Sequence, residues 1–546
     1  MRRRTLLPLL AALSLPAFPQ TAAQPASAAN NPASAATKTS GAATKPAPGV
    51  ARKPKLVLMI VVDQFRADYL WRFREQYNGG LDRLLRQGAN FVNAHYEHFP
   101  TVTAVGHSTV LSGATPSVSG IVGNDWYDRA SGKNITSVVD ASLKLLGAPG
   151  TASSPHRLFV STLGDEMKSN GRGTPKSIGI SIKDRSAILP VGRTADGAFW
   201  FDNKTGNFVS STWYFSEMPK WAASFNDSRA VNQWLNKAWV SIEDAKAKPF
   251  EEMGSEPAEK YYAKMQRTPF GNELLEAFAE QAVEAEKLGQ RGDTDLLSVS
   301  FSSNDYVGHD FGPDDPRVRD ISIRTDRTLA KLFAFLDKKI GMANILVAFT
   351  ADHGVSPTAE AQKARHMPGG RLSEPQMADL VEKTLAARYG GNKWVIGRSG
   401  PTMYLNYDLM RQMKLDAKEV RAVAAEALRT FPHIARVYTR DDILSMAPRD
   451  YVDRRVRAGF HEARGGDLYP VTEPYFTYGK DGASHGSPYN YDSHVPVILM
   501  GPGVKPGRYA SRAAVNDIAP TLATLLDVET PSGATGRVLD EALATR

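Results

Sequence analysis

The sequence predicts an α/β fold: a central, mostly parallel sheet flanked by helices, with inserted cap segments. Three observations point to it. Lys55-Leu-Val-Leu-Met-Ile-Val-Val62 is an unbroken apolar, largely β-branched run, the pattern of a strand buried on both faces of a parallel sheet. Two further strand candidates, Asp295–Ser300 and Asn344–Phe349, are separated by a long amphipathic helical pattern from Val318 to Ile340. Strand, helix and strand in that order make a βαβ unit. Finally, acids and histidines collect where strand candidates stop, as expected for a crevice at the carboxyl ends of strands in an open α/β sheet.

Taken in chain order, the first element is an export signal. Arg2–Arg4 form a basic start, Leu6–Leu15 an apolar stretch broken by Pro8, and Ala26-Ser27-Ala28 offers small residues for cleavage. The apolar stretch is too short to span a bilayer, so residues 1–28 read as a secretory signal peptide and the mature protein as periplasmic or secreted. Residues 29–54 are dominated by Ala, Thr, Pro, Ser and Asn and read as a flexible low-complexity leader. No later segment has the length and apolarity of a membrane anchor.

The leader also distorts the charge balance. The whole chain carries +8, but residues 1–54 hold seven Lys or Arg and no acid, leaving +1 on the other 492 residues. A nearly neutral body gives no reason to expect nucleic acid as a specific partner. The chain has no Cys, which excludes disulfides, zinc–thiolate sites and cysteine nucleophiles. Any tight metal site must use His, Asp and Glu.

The body, residues 55–540, reads as one catalytic domain with insertions at about 124–290 and 371–480. After the first strand, Leu81–Arg86 reads as an amphipathic helix stopped by Gly88, and Ser108–Leu111 starts another helical segment just after Thr103. The first insertion carries aromatic-rich stretches at 199–208 and 212–221 and a helical run near 273–288. The second opens with helical segments at 376–388 and 417–430. A last strand, Val495–Met500, and a helix, Ala519–Leu526, close the domain. Nothing in the pattern indicates an oligomeric state.

Six residues from four segments stand at strand ends. Asp63 ends the first strand; Asp305 and His309 follow the second; Asp352 and His353 end the third; His485 precedes the last. Each alone is an ordinary cap, turn or buried histidine. Jointly they exceed what one tetrahedral ion needs, and Asp with His suits zinc, so two ions would share them. Thr103 is a candidate nucleophile, since it precedes a helical segment whose amides can face an anion, but Thr101, Ser108 and Thr109 compete with it on the residues alone.

These motifs together resemble the alkaline phosphatase superfamily: Asp63 after its strand, Pro100-Thr-Val-Thr-Ala-Val-Gly-His107, Gly120-Ile-Val-Gly-Asn-Asp-Trp-Tyr-Asp128, Asn304-Asp305 with His309, Thr350-Ala-Asp-His-Gly354 and Ser484-His-Gly486. They are most similar to bacterial periplasmic alkaline phosphatases with a threonine nucleophile, related in core to nucleotide pyrophosphatase/phosphodiesterases. The resemblance implies a zinc-dependent phosphatase that acts on small phosphate monoesters through a phosphothreonine intermediate. It implies that Thr103 is the nucleophile, that Asp63, Asp352 and His353 hold one Zn2+ beside it, and that Asp305, His309 and His485 hold a second. It implies that Asn124, Lys183 and Arg185 meet the phosphoryl oxygens.

The i, i+2 spacing of Lys183 and Arg185 suggests one face of an extended segment, with Asp184 pointing away. A monoester carries up to two negative charges, which a Lys/Arg pair rewards and a diester lacks. Monoester hydrolysis is therefore preferred over the alternative, a phosphodiesterase or nucleotide pyrophosphatase on the same core. The absence of a third, magnesium-type acidic cluster near Thr103 leaves Lys183 to supply part of that charge. A sulfatase lacks support, because Thr103 stands in no Cys/Ser-x-Pro-x-Arg context. A metal-stabilised binding module would not need Thr103 at all.

Overall fold

The computed structural model describes residues 53–171 and 174–544. The expected signal peptide and all but Lys53 and Pro54 of the leader lie outside the described residues. Among the described residues, no helix is long and apolar enough to cross a membrane.

An 11-stranded mixed sheet organises the body. Its strands in chain order are β1 (Leu56–Val62), β2 (Ala89–Phe91), β3 (Val139–Leu146), β4 (Thr151–Ser153), β5 (Ser177–Ser181), β6 (Gly197–Asp202), β7 (Asn207–Ser211), β8 (Asp295–Phe301), β9 (Ile345–Thr350), β10 (Val497–Met500) and β11 (Gly507–Tyr509). They lie in the order β11-β2-β10-β9-β1-β8-β5-β6-β7-β3-β4. The five strands from β9 to β6 are parallel. Every residue of β1, β8 and β9 is buried, as expected for strands covered on both faces of a sheet.

Register decides where the strand ends meet. Val62 pairs with Phe301, Val61 with Thr350, and Ser300 with Ser181. The residues just beyond these pairs, Asp63, Asp352 and Lys183 among them, therefore emerge at one edge. The strand β10 is antiparallel to β9, with Val497 opposite Thr350. His485 precedes β10, and because that strand runs the other way its beginning lies at the edge where the parallel strands end. The position of His485 just before the last strand therefore brings it to the same edge from the opposite direction.

Five helices matter to the site: α1 (Thr103–Ser112), α2 (Asp184–Ile188), α3 (Pro269–Glu286), α4 (Ser303–Phe311) and α5 (Pro316–Lys339). Helix α1 packs so tightly on the end of β9 that a Cβ at Gly106 would lie 2.1 Å from the Asp352 carbonyl oxygen, so only glycine fits. The segment 124–290 supplies β3 to β7 and so extends the sheet as well as covering it. Residues 395–399, 402–405, 468–472 and 434–439 form a separate four-stranded antiparallel sheet in that order. Helices Glu374–Tyr389 and Ala417–Arg429 contribute with it to a second apolar core containing Met377, Leu385, Trp394, Met403 and Leu428.

Candidate active site

Thr103 is the first residue of α1, not a residue ahead of it, and Val102 is the extended N-cap. The threonine is 2% exposed. Its Oγ1 lies 3.5 Å from His353 Nε2. The next backbone amide, Ala104 N–H, donates to Asn124 Oδ1 at 2.8 Å. That bond ties Asn124 to the start of the helix and leaves its amide NH2 as a donor beside Thr103.

Two groups of ligand-type side chains flank the threonine. In one, Asp305, His309 and His485 place candidate ligand atoms within 4.8 Å of one another; in the other, Asp63, His107 and Asp352 do. His353 joins the second group through Nε2, 3.2 Å from Asp352 Oδ2. The hydrogen bonds separate the two histidines there. His107 uses both ring nitrogens within the protein: Nδ1 lies 2.9 Å from Thr103 O and Nε2 2.8 Å from Ser300 Oγ. His353 Nδ1 instead donates to Gly354 O at 2.9 Å, leaving Nε2 toward Asp352 and Thr103.

His309 and His485 repeat that pattern, with Nδ1 on Ala483 O and on Thr101 O, each at 2.8 Å. Their Nε2 atoms face Asp305 Oδ1 at 3.3 and 3.9 Å. An imidazole held to a carbonyl by one nitrogen, with the other free, is oriented as a metal ligand usually is.

The two groups adjoin. Lys183 Nζ sits between them, 2.8 Å from Asp63 Oδ2 and 2.6 Å from Asp305 Oδ2, and lies 5.2 Å from the centre of the Tyr306 ring. The His353 and His485 rings stack with centroids 3.5 Å apart. Burial alone would discharge Lys183, but the Asp305 and Asp63 carboxylates outweigh it and raise its pKa. Burial likewise opposes ionised Asp305, yet Lys183 and three imidazoles hold that carboxyl well below the usual range. At His353 burial is overcome by Asp352, and the imidazole is raised to about 9. His485 is lowered by burial and by the neighbouring His353 and His309.

The structure corrects the expected geometry of the Lys/Arg pair. The strand ends at Ser181; Lys183 is still extended, but it is the N-cap of α2 and Arg185 lies in that helix. The two side chains therefore do not share a strand face. Asp184 does turn away, accepting from Ser153 Oγ at 2.9 Å. Arg185 Nε is buried without a hydrogen-bond partner.

Residue type gave no warning of Gln64. With φ at +60°, in the left-handed region that costs a non-glycine residue energy, it joins the groups directly. Its backbone N–H donates to Asp352 Oδ1 at 3.0 Å and its Nε2 to Asp305 Oδ1 at 2.7 Å. A Cβ at Gly308 would lie 1.8 Å from Gln64 Oε1, so that glycine makes room for the side chain. Ser300 was also missed; it donates to Asp63 Oδ1 at 2.9 Å.

The donor set fits divalent cations. Asp63, Asp305 and Asp352 are all buried, and the Lys183 ammonium and the His353 imidazole beside them leave the three carboxylates short of a full set of counter-charges. Asp352 Oδ2 is buried without a hydrogen bond. Uncompensated buried carboxylates are costly, and metal coordination is the usual remedy. Oxygen and imidazole donors without thiolate suit zinc and its divalent neighbours.

Residues 57–488 match the family described as type I phosphodiesterase / nucleotide pyrophosphatase. The chain belongs to this family. Within the wider alkaline phosphatase superfamily it falls in the branch of the alkaline phosphatase PafA of Elizabethkingia meningoseptica, with 35% identity across 90% of this chain and 95% of PafA. Alkaline phosphatase PhoV of Synechococcus elongatus is also 35% identical, across 91% of this chain and 94% of its own. The crystal structure of wild-type PafA superposes with a TM-score of 0.85 at 33% identity, covering 91% of this chain and all of PafA.

Proposed function

We propose that the protein is an alkaline phosphatase that hydrolyses phosphate monoesters through a phosphothreonine at Thr103. The observation that carries this reading is the placement of the Thr103 hydroxyl at the first turn of α1, beside His353, Asn124 and the two adjoining Asp/His groups. Asp63, Asp352 and His353 would hold one divalent ion and Asp305, His309 and His485 a second, with zinc the ion proposed. Bound there, a two-metal centre supplies charge stabilisation to the attacking and leaving oxygens of an in-line displacement.

The chain's own residues do the rest. Thr103 Oγ forms a bond to phosphorus as the ester P–O bond breaks, and the alcohol departs with a proton. Water then breaks the Thr103–phosphorus bond and releases phosphate. Lys183 brings a fixed positive charge, Arg185 a forked donor and Asn124 a neutral donor to the nonbridging oxygens. His107, bonded to Thr103 O and Ser300, positions the loop.

A PafA variant of known structure is substituted at a threonine, an asparagine 21 positions later, and a lysine and arginine two positions apart. Thr103 and Asn124 are 21 positions apart here, and Lys183 and Arg185 are two apart, which supports the assignment of all four. The deciding experiment compares hydrolysis of phenyl phosphate with that of its methyl diester. The monoester should be strongly preferred, and replacing both Lys183 and Arg185 by Ala should lower monoester turnover far more than diester turnover. A wild-type preference for the diester would support the phosphodiesterase alternative. We further propose export to the periplasm, with residues 1–28 removed, a leader at 29–54 and a catalytic domain over 55–540. The amino-terminal sequence of the exported protein tests it.

A further inference from the structure

A cavity of about 330 Å3 opens from the reaction centre, with Val102, Asn124 and His485 among its lining residues. Because Asn124 and His485 belong to the site described above, a group leaving Thr103-bound phosphorus on this side enters the cavity. Its far wall comes from the smaller sheet and the loops around it, through Tyr404, Tyr469 and Tyr478. Those rings give it an aromatic surface.

Two carboxylates, Asp125 and Glu374, line the same space. The cations that act on them are Arg185 and Arg398; among the described residues neither carboxylate has a side-chain hydrogen bond or an ion pair within 4.0 Å. Arg185 is engaged by the phosphoryl group in the proposed reaction, and Arg398 keeps a buried Nη1 without a partner instead of closing on Glu374.

An aromatic lining and unpaired carboxylates together favour an organic cation. An ammonium group gains from the ring quadrupoles and the carboxylates at once, whereas an anionic leaving group meets two like charges. We propose that this cavity is the leaving-group site and that it selects phosphate monoesters of amino alcohols, seating the ammonium between Asp125 and Glu374 and against the tyrosine rings. The inference rests on the monoesterase reading. Chemistry at phosphorus is unchanged: the ester P–O bond breaks as the Thr103 Oγ–P bond forms, the alcohol oxygen takes the proton, and the ammonium nitrogen stays charged and unreacted.

The test is the ratio of kcat/KM for choline phosphate to that for 3,3-dimethylbutyl phosphate, its uncharged isostere, measured on one preparation. Such a ratio does not depend on the fraction of enzyme folded. The expected ratio is about 10 or more for the wild type. It should fall toward 1 in the Asp125→Asn, Glu374→Gln double variant, with each single variant between. A wild-type ratio near 1, or one that the double variant leaves unchanged, overturns the inference while the phosphatase reading stands. Failure to hydrolyse either ester, with diester cleavage retained, overturns both.

Discussion

At the scale of single residues, Thr103 and Gln64 are predicted to fail in different ways. Thr103→Ala removes the oxygen that bonds phosphorus and leaves both Asp/His groups intact, so kcat should fall by about 10^3-fold or more with metal content unchanged. Metal analysis beside a phenyl phosphate assay checks both halves, and a variant that turns over normally defeats the nucleophile assignment. Gln64→Gly should relieve the positive φ and keep the backbone bond to Asp352, while losing the Nε2 bond to Asp305. Outer-shell partners typically control metal affinity by about 10- to 100-fold, and a loss in that range is expected on titration with a competing chelator. Gln64→Ala loses the same bond and keeps the strain, so it should also be the less stable of the two. The candidate ligands were legible because Asp and His stand out after apolar runs. Gln64 and Ser300 were not, because an amide or hydroxyl is common anywhere and these two matter through backbone geometry and register.

At the scale of elements, apolar runs gave β1 and β9 almost to the residue, since strands covered on both faces have no alternation to misread, and β8 was placed as closely although Asp295, Ser298 and Ser300 interrupt it. The Lys183–Arg185 segment misled for a local reason: i, i+2 spacing looks extended, but an N-terminal turn of helix follows Lys183 and rotates Arg185 away. Strand direction was equally hidden, because nothing in Val495–Met500 says that β10 opposes β9; only the register does. The α1–β9 contact is where an element-scale change should be most damaging. Gly106→Ala would force a methyl toward the Asp352 carbonyl oxygen, against backbone that cannot rotate aside. Overpacking of this kind costs about 1–3 kcal/mol, and here it also shifts the residue before His353. Thermal unfolding should show a lower Tm, and phenyl phosphate turnover should fall further than the unfolded fraction explains. A variant with normal Tm and turnover would mean that the helix has room to move.

At the scale of the whole molecule, charge links stability to the site. Three buried carboxylates with only Lys183 and His353 to oppose them favour added cations, so chelation should lower Tm, and restored zinc should raise it in proportion to the logarithm of free ion. Acid should destabilise the protein through separate groups. His95 and His98 are buried, and burial lowers each from the ordinary 6.5 to about 3. Their folded pKa values lie below the unfolded one, so between pH 6.5 and about 3 the unfolded chain binds more protons. The stability they contribute is whole above pH 6.5 and is lost as pH falls, by up to about 1.4 kcal/mol per pH unit for each histidine. His98 Nδ1 lies 3.2 Å from Pro100 O, a bond that an amide can replace, so His98→Gln removes a titrating group while keeping a donor. Urea unfolding of wild type and variant at pH 7, 6, 5 and 4 should show their difference shifting in favour of the variant by up to about 1.4 kcal/mol per unit below pH 6. Comparison at matched pH cancels metal loss, which acid imposes on both proteins. Parallel curves would show that His98 is protonated in the folded state, contrary to its burial.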